Sequence, residues 1–475
     1  MITGKVLKLR GWKEGRTVGA AKVAAQHLIS LGHSQDEVLQ KLDAVLENPS
    51  AFLADPTFCA VASELIARQR NDQSKFADAL RETPIEFPIW GAGEIDEGAL
   101  TQMRNAMRLP VSVAGSLMPD AHVGYGLPIG GVLATRETVI PYAVGVDIAC
   151  RMKISIFEQS PAILGQHKLR FENALRDQTR FGAGAKWGRH ERKSHEILDD
   201  HDGWNATGLL RSLRPKAEEQ LGTSGSGNHF VEWGEFELKA PSAELGLSAG
   251  KYLALLSHSG SRGVGHKIAT EFSRLASSLH PQLADVVKHL AWLDLDSDAG
   301  REYWLAMEQA GKFAAANHAV IHREVAKAAG VDVVASVENH HNFAWKETLE
   351  DGTEVVVHRK GATPAGEGVL GVIPGSMADA GYVVRGKGNA PSLHSASHGA
   401  GRKMSRKAAN DSITKVQRDR YLEARGVKLL GGGLDEAPQA YKDIETVIAA
   451  QDDLVEIVGK FQPKIVMMSK DKEDI

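Results

Sequence analysis

The sequence predicts an α+β protein: a mixed-sheet body with surrounding helices over residues 86–475, beside a small helical extension over residues 1–85. Three observations carry this reading. The first stretch holds apolar residues at helical spacing behind a capping signal. From about Ile85 the texture changes to short strand patterns punctuated by glycine. Two longer helical stretches then interrupt those strands.

The elements follow in chain order. A first helix is expected over residues 19–29. Ser34-Gln-Asp-Glu37 is a capping box, in which hydroxyl and carboxylate each satisfy the other residue's backbone N–H. It opens a helix with Val38, Leu39, Leu42, Val45 and Leu46 on one face, ending before Pro49. A third helix is expected over 60–69. Met152-Lys-Ile-Ser-Ile156 alternates as a half-buried strand does, and 355–357 and 465–468 are further short strands. Helical stretches are expected over 265–279 and 301–329, the second Ala-rich and stopped by Gly330. The last third is dense in glycine and basic residues. A mixed body with one long active-site surface results.

The bulk properties bound the function. Hydrophobic residues make up 43% and charged residues 24%, ordinary for a soluble chain that can bury a core without disulfides. No apolar run reaches the roughly 18 residues of a membrane span. The N-terminus lacks the apolar core of a signal peptide, so a cytoplasmic protein is expected. Two cysteines, Cys59 and Cys150, exclude a disulfide framework. A net charge of −4 gives no overall attraction to nucleic acid, so an RNA ligand would need a local basic patch.

Five segments carry chemistry. Asp147-Ile-Ala-Cys150 follows a strand-to-turn segment, where a carboxylate and a thiol can converge on a borderline divalent metal. Taken alone, Cys150 reads more readily as a small buried hydrophobe than as a ligand. Gly222-Thr-Ser-Gly-Ser-Gly-Asn228-His229 frees backbone N–H groups for an anion, or is simply a glycine turn with a surface histidine. His258-Ser-Gly-Ser-Arg262 suits a metal ligand beside a phosphate. In Glu338-Asn-His340-His341-Asn342, adjacent histidines on an extended segment face opposite ways, so at most one is a ligand. Ser397-His398-Gly-Ala-Gly-Arg402-Lys403, continuing to Arg406-Lys407, places an approachable imidazole among cations that offset transition-state charge. The same segment reads as a basic turn that binds RNA phosphates without a covalent role. His318 and His322, one turn apart, are set aside as ligands because their surroundings resemble an ordinary surface helix.

At these residues the chain resembles the RtcB family of RNA ligases. MPDAHVGYGLPIGG, AVGVDIAC, GSGNHF, HSGSRGVG, HHNFAWKE, HRKGATPAGEG, IPGSM, SHGAGRKMSRKAA and DEAPQAYKDI carry the resemblance in order, from about Met118 to Lys470. The resemblance implies an RtcB-like fold and a 3′-phosphate/5′-hydroxyl nucleic acid ligase. It would use GTP and two Mn²⁺ ions, with Zn²⁺ or Co²⁺ as alternatives. Its substrates would be RNA ends, one bearing a 2′,3′-cyclic phosphate or 3′-phosphate and the other a 5′-hydroxyl, in repair or tRNA splicing. An accessory repair protein is a further implied partner.

His398 would take GMP covalently. Asp147, Cys150, His229, His258 and His341 would ligate metal, with the Cys150 thiolate bridging both ions. Asn228, Glu232, Pro374, Gly375, Ser376, Met377, Ala400, Gly401, Tyr441 and Lys470 would line the guanylate pocket, and Asp120 and His122 would support the metals or face RNA. Three departures point to a divergent branch. Gly381 replaces a common serine near the base, Arg151 replaces glycine and adds a cation beside the metals, and the helical extension lies outside the common pattern. A cyclic-phosphate phosphoesterase and a non-catalytic RNA-repair scaffold are the competing readings.

Overall fold

The computed structural model describes residues 2–12, 16–71 and 77–469, and Lys470 lies outside them. The described residues form two compact units, one within 1–75 with 296–298, the other within 76–295 and 299–475.

The smaller unit holds helices α1 (Gly4–Leu9), α2 (Arg16–Ser30), α3 (Gln35–Glu47) and α4 (Cys59–Asn71). The capping box is present: the Ser34 N–H donates to Glu37 Oε2 at 2.9 Å, and the Glu37 N–H to Ser34 Oγ at 3.3 Å. Val38, Leu42 and Val45 are buried with Leu7, Trp12, Leu28, Phe58 and Val61. Leu39 and Leu46 are half-buried, packed on that core.

The larger unit is built on two principal sheets. Its main strands are β1 (Ser112–His122), β2 (Ile129–Thr135), β3 (Arg151–Phe157), β4 (Phe230–Leu238), β5 (Gly250–Ser259), β6 (Val333–His340), β7 (Asn342–Thr348), β8 (Glu354–Lys360), β9 (Leu370–Ile373), β10 (Gly381–Gly386), β11 (Lys428–Gly431) and β12 (Val455–Met468). One sheet runs β1-β2-β8-β7; the larger runs β9-β10-β12-β4-β5-β3-β6, with β11 parallel to β12. The expected strands lie inside β3, β8 and β12. Helix α5 (Arg262–Leu279) covers the first expected helical stretch and α6 (Asp298–Ala329) the second. Gly330 follows α6 at φ +64°, the left-handed conformation that ends helices.

Helix α6 is not a surface helix. Ala306, Ala310, Phe313, Ala314, Val320 and Ile321 are buried on it, as are His318 and His322. Its small residues let the backbone lie close to its neighbours, and the two imidazoles find partners on the sheet. Ser257 Oγ lies 2.7 Å from His318 Nδ1 and 2.8 Å from His322 Nε2, and Ser155 Oγ lies 2.8 Å from His322 Nδ1. These are core histidines whose burial the two serine hydroxyls offset at three of the four ring nitrogens, His318 Nε2 having no partner among the described residues. Among the described residues, no helix is long and apolar enough to cross a membrane.

Candidate active site

Register in the larger sheet assembles the first cluster. β3 pairs with β5 on one side, with Met152 opposite His258, and with β6 on the other, with Arg151 opposite His340. β5 pairs with β4, bringing Phe230 opposite His258. Cys150, His229 and His341, each one residue outside a strand end, are thereby drawn around His258. Cys150 Sγ lies 3.3 Å from His229 Nε2 and 3.1 Å from His258 Nε2. Asp147 Oδ2 lies 3.0 Å from His229 Nε2, and His341 Nε2 lies 3.2 Å from His258 Nε2.

This donor set fits a borderline divalent cation. The ligand atoms of Cys150, His229 and His258 all lie within 4.8 Å of one another, on buried residues. His258 Nδ1 is 3.1 Å from the Asn228 carbonyl, to which it donates, leaving the Nε2 lone pair toward the cluster. Burial holds His258 and His341 well below the usual imidazole range, so both are neutral, as ligands must be. Burial opposes charge on Asp147, yet His229 and Arg262 hold its carboxyl well below the usual range. Burial and then Asp147 push the Cys150 thiol well up, so its deprotonation depends on a bound cation.

The glycines of this region make room for neighbouring side chains as well as for turns. A Cβ on Gly225 would lie 1.3 Å from Arg262 Nη1, and one on Gly227 would lie 3.1 Å from Arg406 Nη2. A Cβ on Gly260 would meet Asp147 Oδ1 at 2.3 Å. Arg262, with its guanidinium against Gly225, reaches His229 Nδ1 at 3.1 Å and Asp147 Oδ2 at 3.6 Å.

The second cluster centres on His398, whose ring lies 4.9 Å, centroid to centroid, from that of His341. Asp120, fully buried on β1, places Oδ2 2.7 Å from His398 Nδ1 and accepts the backbone N–H groups of His398 and Gly399 at 3.1 and 3.3 Å. The carboxylate holds Nδ1 as the N–H and leaves the Nε2 lone pair outward. Lys442 donates to the carbonyls of Pro119 and Ala121 at 3.1 and 2.8 Å, fixing the chain on both sides of Asp120. Gly401, at φ +72°, lets that loop approach, since a Cβ there would sit 2.0 Å from the Asp120 carbonyl. His122 turns its Nδ1 to the Asp120 carbonyl at 3.1 Å, and burial lowers it to about 4.

Several expected pocket residues gather beside this loop. A Cβ on Gly399 would touch the Pro374 carbonyl at 3.4 Å, and Gly375 has room for no side chain against the Ala380 carbonyl at 2.4 Å. Ser376 Oγ donates to Asp379 Oδ2 at 2.5 Å, Met377 and Ala400 are buried, and Tyr441 bridges to Arg402. Glu232 on β4 is buried, its Oε2 has no partner among the described residues, and burial pushes its carboxyl well up.

Two expectations change. Arg402 and Arg406 do not stand free beside His398: Arg402 pairs with Glu436 at 3.2 Å, and Arg406 with Asp435 at 2.5 Å and with Glu436. The acidic Asp435-Glu436 pair, remote in sequence, neutralises them. Arg151 adds no cation to the metal cluster; its guanidinium turns to Glu338 at 3.5 Å and to the Gly311 carbonyl at 3.4 Å on α6. Of the adjacent histidines, His341 joins the cluster, while His340 stacks on Trp345 with ring centroids 5.1 Å apart.

Two residues escaped the sequence reading. Lys442 had only its position in a matched block as a signal. Lys360 is buried with its ammonium 2.5 Å from the Tyr125 carbonyl, and among the described residues no carboxylate pairs with it. Burial lowers it to about 7. The next residue, Gly361, lies against His398: a Cβ there would be 3.2 Å from His398 Cε1.

Known proteins resemble this chain over most of its length. The family described as tRNA-splicing ligase RtcB matches residues 102–469. RNA-splicing ligase RtcB1 of Escherichia coli is 32% identical over 402 residues, covering 78% of this chain and 94% of its own. tRNA-splicing ligase RtcB of Nanoarchaeum equitans is 32% identical over 448 residues, covering 78% and 92%. RNA-splicing ligase RtcB of Mycobacterium tuberculosis is 31% identical over 426 residues, covering 76% and 98%. With a family match over most of its length and relatives covered nearly end to end, this chain belongs to the RtcB family.

Proposed function

We propose that this protein is a GTP- and Mn²⁺-dependent RNA ligase that joins 2′,3′-cyclic phosphate or 3′-phosphate ends to 5′-hydroxyl ends. The observation that carries the reading is the Asp120–His398 pair beside the cysteine–histidine cluster. With Nδ1 bonded to Asp120, His398 Nε2 can attack the α-phosphorus of GTP. An N–P bond forms, the bond to the β-phosphate oxygen breaks, and pyrophosphate leaves with the electron pair.

Asp147, Cys150, His229, His258 and His341 would hold two Mn²⁺ ions, which would supply Lewis-acid charge at the phosphates. Lys360, buried and paired with no carboxylate among the described residues, suits phosphate oxygens of the RNA end. Glu232, buried with an oxygen that has no partner among the described residues, suits the N–H edge of guanine; Asn228, Ser376, Ala400, Gly401 and Tyr441 would complete that pocket, with Lys470, which lies outside the described residues, as a further member.

Water opens the cyclic phosphate by breaking the bond to the 2′ oxygen. An oxygen of the resulting 3′-phosphate attacks the phosphorus on His398 and frees the imidazole. The 5′-hydroxyl oxygen then attacks the activated 3′-phosphate, and GMP leaves. His398→Ala is the test: incubated with GTP and Mn²⁺, the wild type should gain one GMP by mass spectrometry and the variant none. A variant that still gains GMP removes His398 as nucleophile, and release of 3′-phosphate without joined product removes the ligase reading.

A further inference from the structure

The loop between β1 and β2 carries an aromatic side chain that the chemistry above does not use. Tyr125 is 72% exposed, and Val123 beside it is 53% exposed. A tyrosine so exposed on a disordered loop would mean little, but the backbone under this one is held at consecutive residues. Gln102 bonds both sides of Gly124, donating to its carbonyl at 2.5 Å and accepting its N–H at 3.0 Å. The Tyr125 carbonyl accepts the Lys360 ammonium at 2.5 Å. Gly126, at φ +73°, packs so closely that a Cβ would meet Leu290 Cδ2 at 3.0 Å and His289 Cβ at 3.2 Å. The ring is therefore displayed from a fixed backbone.

It also has aromatic neighbours. The exposed His289 ring lies edge-on to Tyr125 at 6.4 Å and to Tyr142 at 5.1 Å. The three rings form a small cluster open to solvent. Its position is set by Lys360: the amine beneath Tyr125 belongs to the residue preceding Gly361, which lies against His398. An exposed aromatic residue thus holds, through its own carbonyl, a buried lysine that pairs with no carboxylate among the described residues and that precedes the glycine lying against His398. Phosphate charge beside an aromatic face is the signature of one nucleotide of single-stranded nucleic acid.

We propose that Tyr125, backed by His289 and Tyr142, is a stacking platform for the terminal base of the RNA strand whose 3′-phosphate Lys360 receives. The inference rests on the RNA-ligase reading and adds to it a positioning contact for the substrate. Stacking tolerates every base, so the platform aligns the end without selecting its sequence.

The test uses full-length protein and a short RNA ending in a 3′-phosphate, with 2-aminopurine as its last base. Stacking on wild-type protein should quench the fluorescence. Tyr125→Ala should abolish the quench and raise the RNA KM for joining by roughly 5- to 150-fold, the range of one lost base stack. Tyr125→Phe and Tyr125→Trp should restore both, and labelling with GTP alone reports that each variant is folded. An unchanged quench and KM in Tyr125→Ala overturn the platform. So does a quench seen only with the probe base on the 5′-hydroxyl strand, or none with wild type. A wild type that quenches the probe yet joins no ends sinks the ligase reading and leaves the platform standing.

Discussion

Asp120 and His398 stand 278 positions apart in the chain, and their side chains meet at 2.7 Å. One carboxylate oxygen receives three N–H groups: the imidazole Nδ1, and the backbone amides of His398 and Gly399. The loop and the ring it carries are thus set by one buried residue. Asp120→Ala should lower the rate of GMP labelling on the order of 10²-fold, because the ring loses both orientation and tautomer. Asp120→Asn, whose amide oxygen can still accept the three bonds, should lose much less. Labelling with radioactive GTP in single-turnover conditions measures both, and a wild-type rate in Asp120→Ala would show that the pair is only structural.

Gly225 should tolerate no side chain. Its φ of +93° disfavours one, and the Cβ would overlap the Arg262 guanidinium at 1.3 Å. Arg262 must move, leaving His229 and Asp147 without their shared partner. Gly225→Ala is expected to weaken Mn²⁺ binding by roughly 10- to 100-fold, as loss of a ligand's supporting contact does. Calorimetric titration with Mn²⁺ reads this directly; equal affinity in variant and wild type would separate Arg262 from the metal site.

Gly381 has room for a serine, the residue that the family resemblance leads one to expect there. The nearest atoms to an added Cβ are Pro374 Cα at 3.4 Å and the Ile373 carbonyl at 3.6 Å, ordinary contacts. Gly381→Ser should leave the melting temperature nearly unchanged. It should raise the ratio of GTP to ATP labelling by up to about tenfold, one neutral hydrogen bond's contribution. An unchanged ratio would place position 381 outside base recognition.

The fold should weaken in mild acid through buried neutral histidines away from the cluster. His358 accepts the Ile140 N–H at 2.9 Å through Nε2 and donates to the Leu133 carbonyl at 3.0 Å through Nδ1; burial lowers it to about 4. Unfolded, it binds a proton near pH 6.5. Its contribution is therefore complete above about pH 6.5 and is lost as the pH falls toward 4, about 3 kcal/mol in all. His318 and His322 are also lowered by burial, and act in the same direction. Thermal melts of chelator-treated protein from pH 7.5 to 5 should show a steady fall in Tm, shallower in His358→Asn. A flat profile would contradict the buried neutral state.

The local elements and the chemical inventory were legible in the order of residues. The Ser34–Glu37 box marked a helix start, the alternation at Met152–Ile156 marked a strand, and Gly330 marked a helix end, because each depends on neighbours a few residues away. The sequence also supplied the residue types of the site, including Cys150, His229, His258, His341 and His398. Tertiary structure alone decided which of them meet. Sheet register set Cys150 against His229 and His258, and a strand from the other sheet brought Asp120 to His398. Packing turned His318 and His322 from an expected surface into the core, and drew Arg402 and Arg406 onto Asp435 and Glu436. The physical reason is the same throughout. Propensity and capping act within a turn or two of chain, whereas ligand convergence, burial and charge pairing depend on strand order across hundreds of residues.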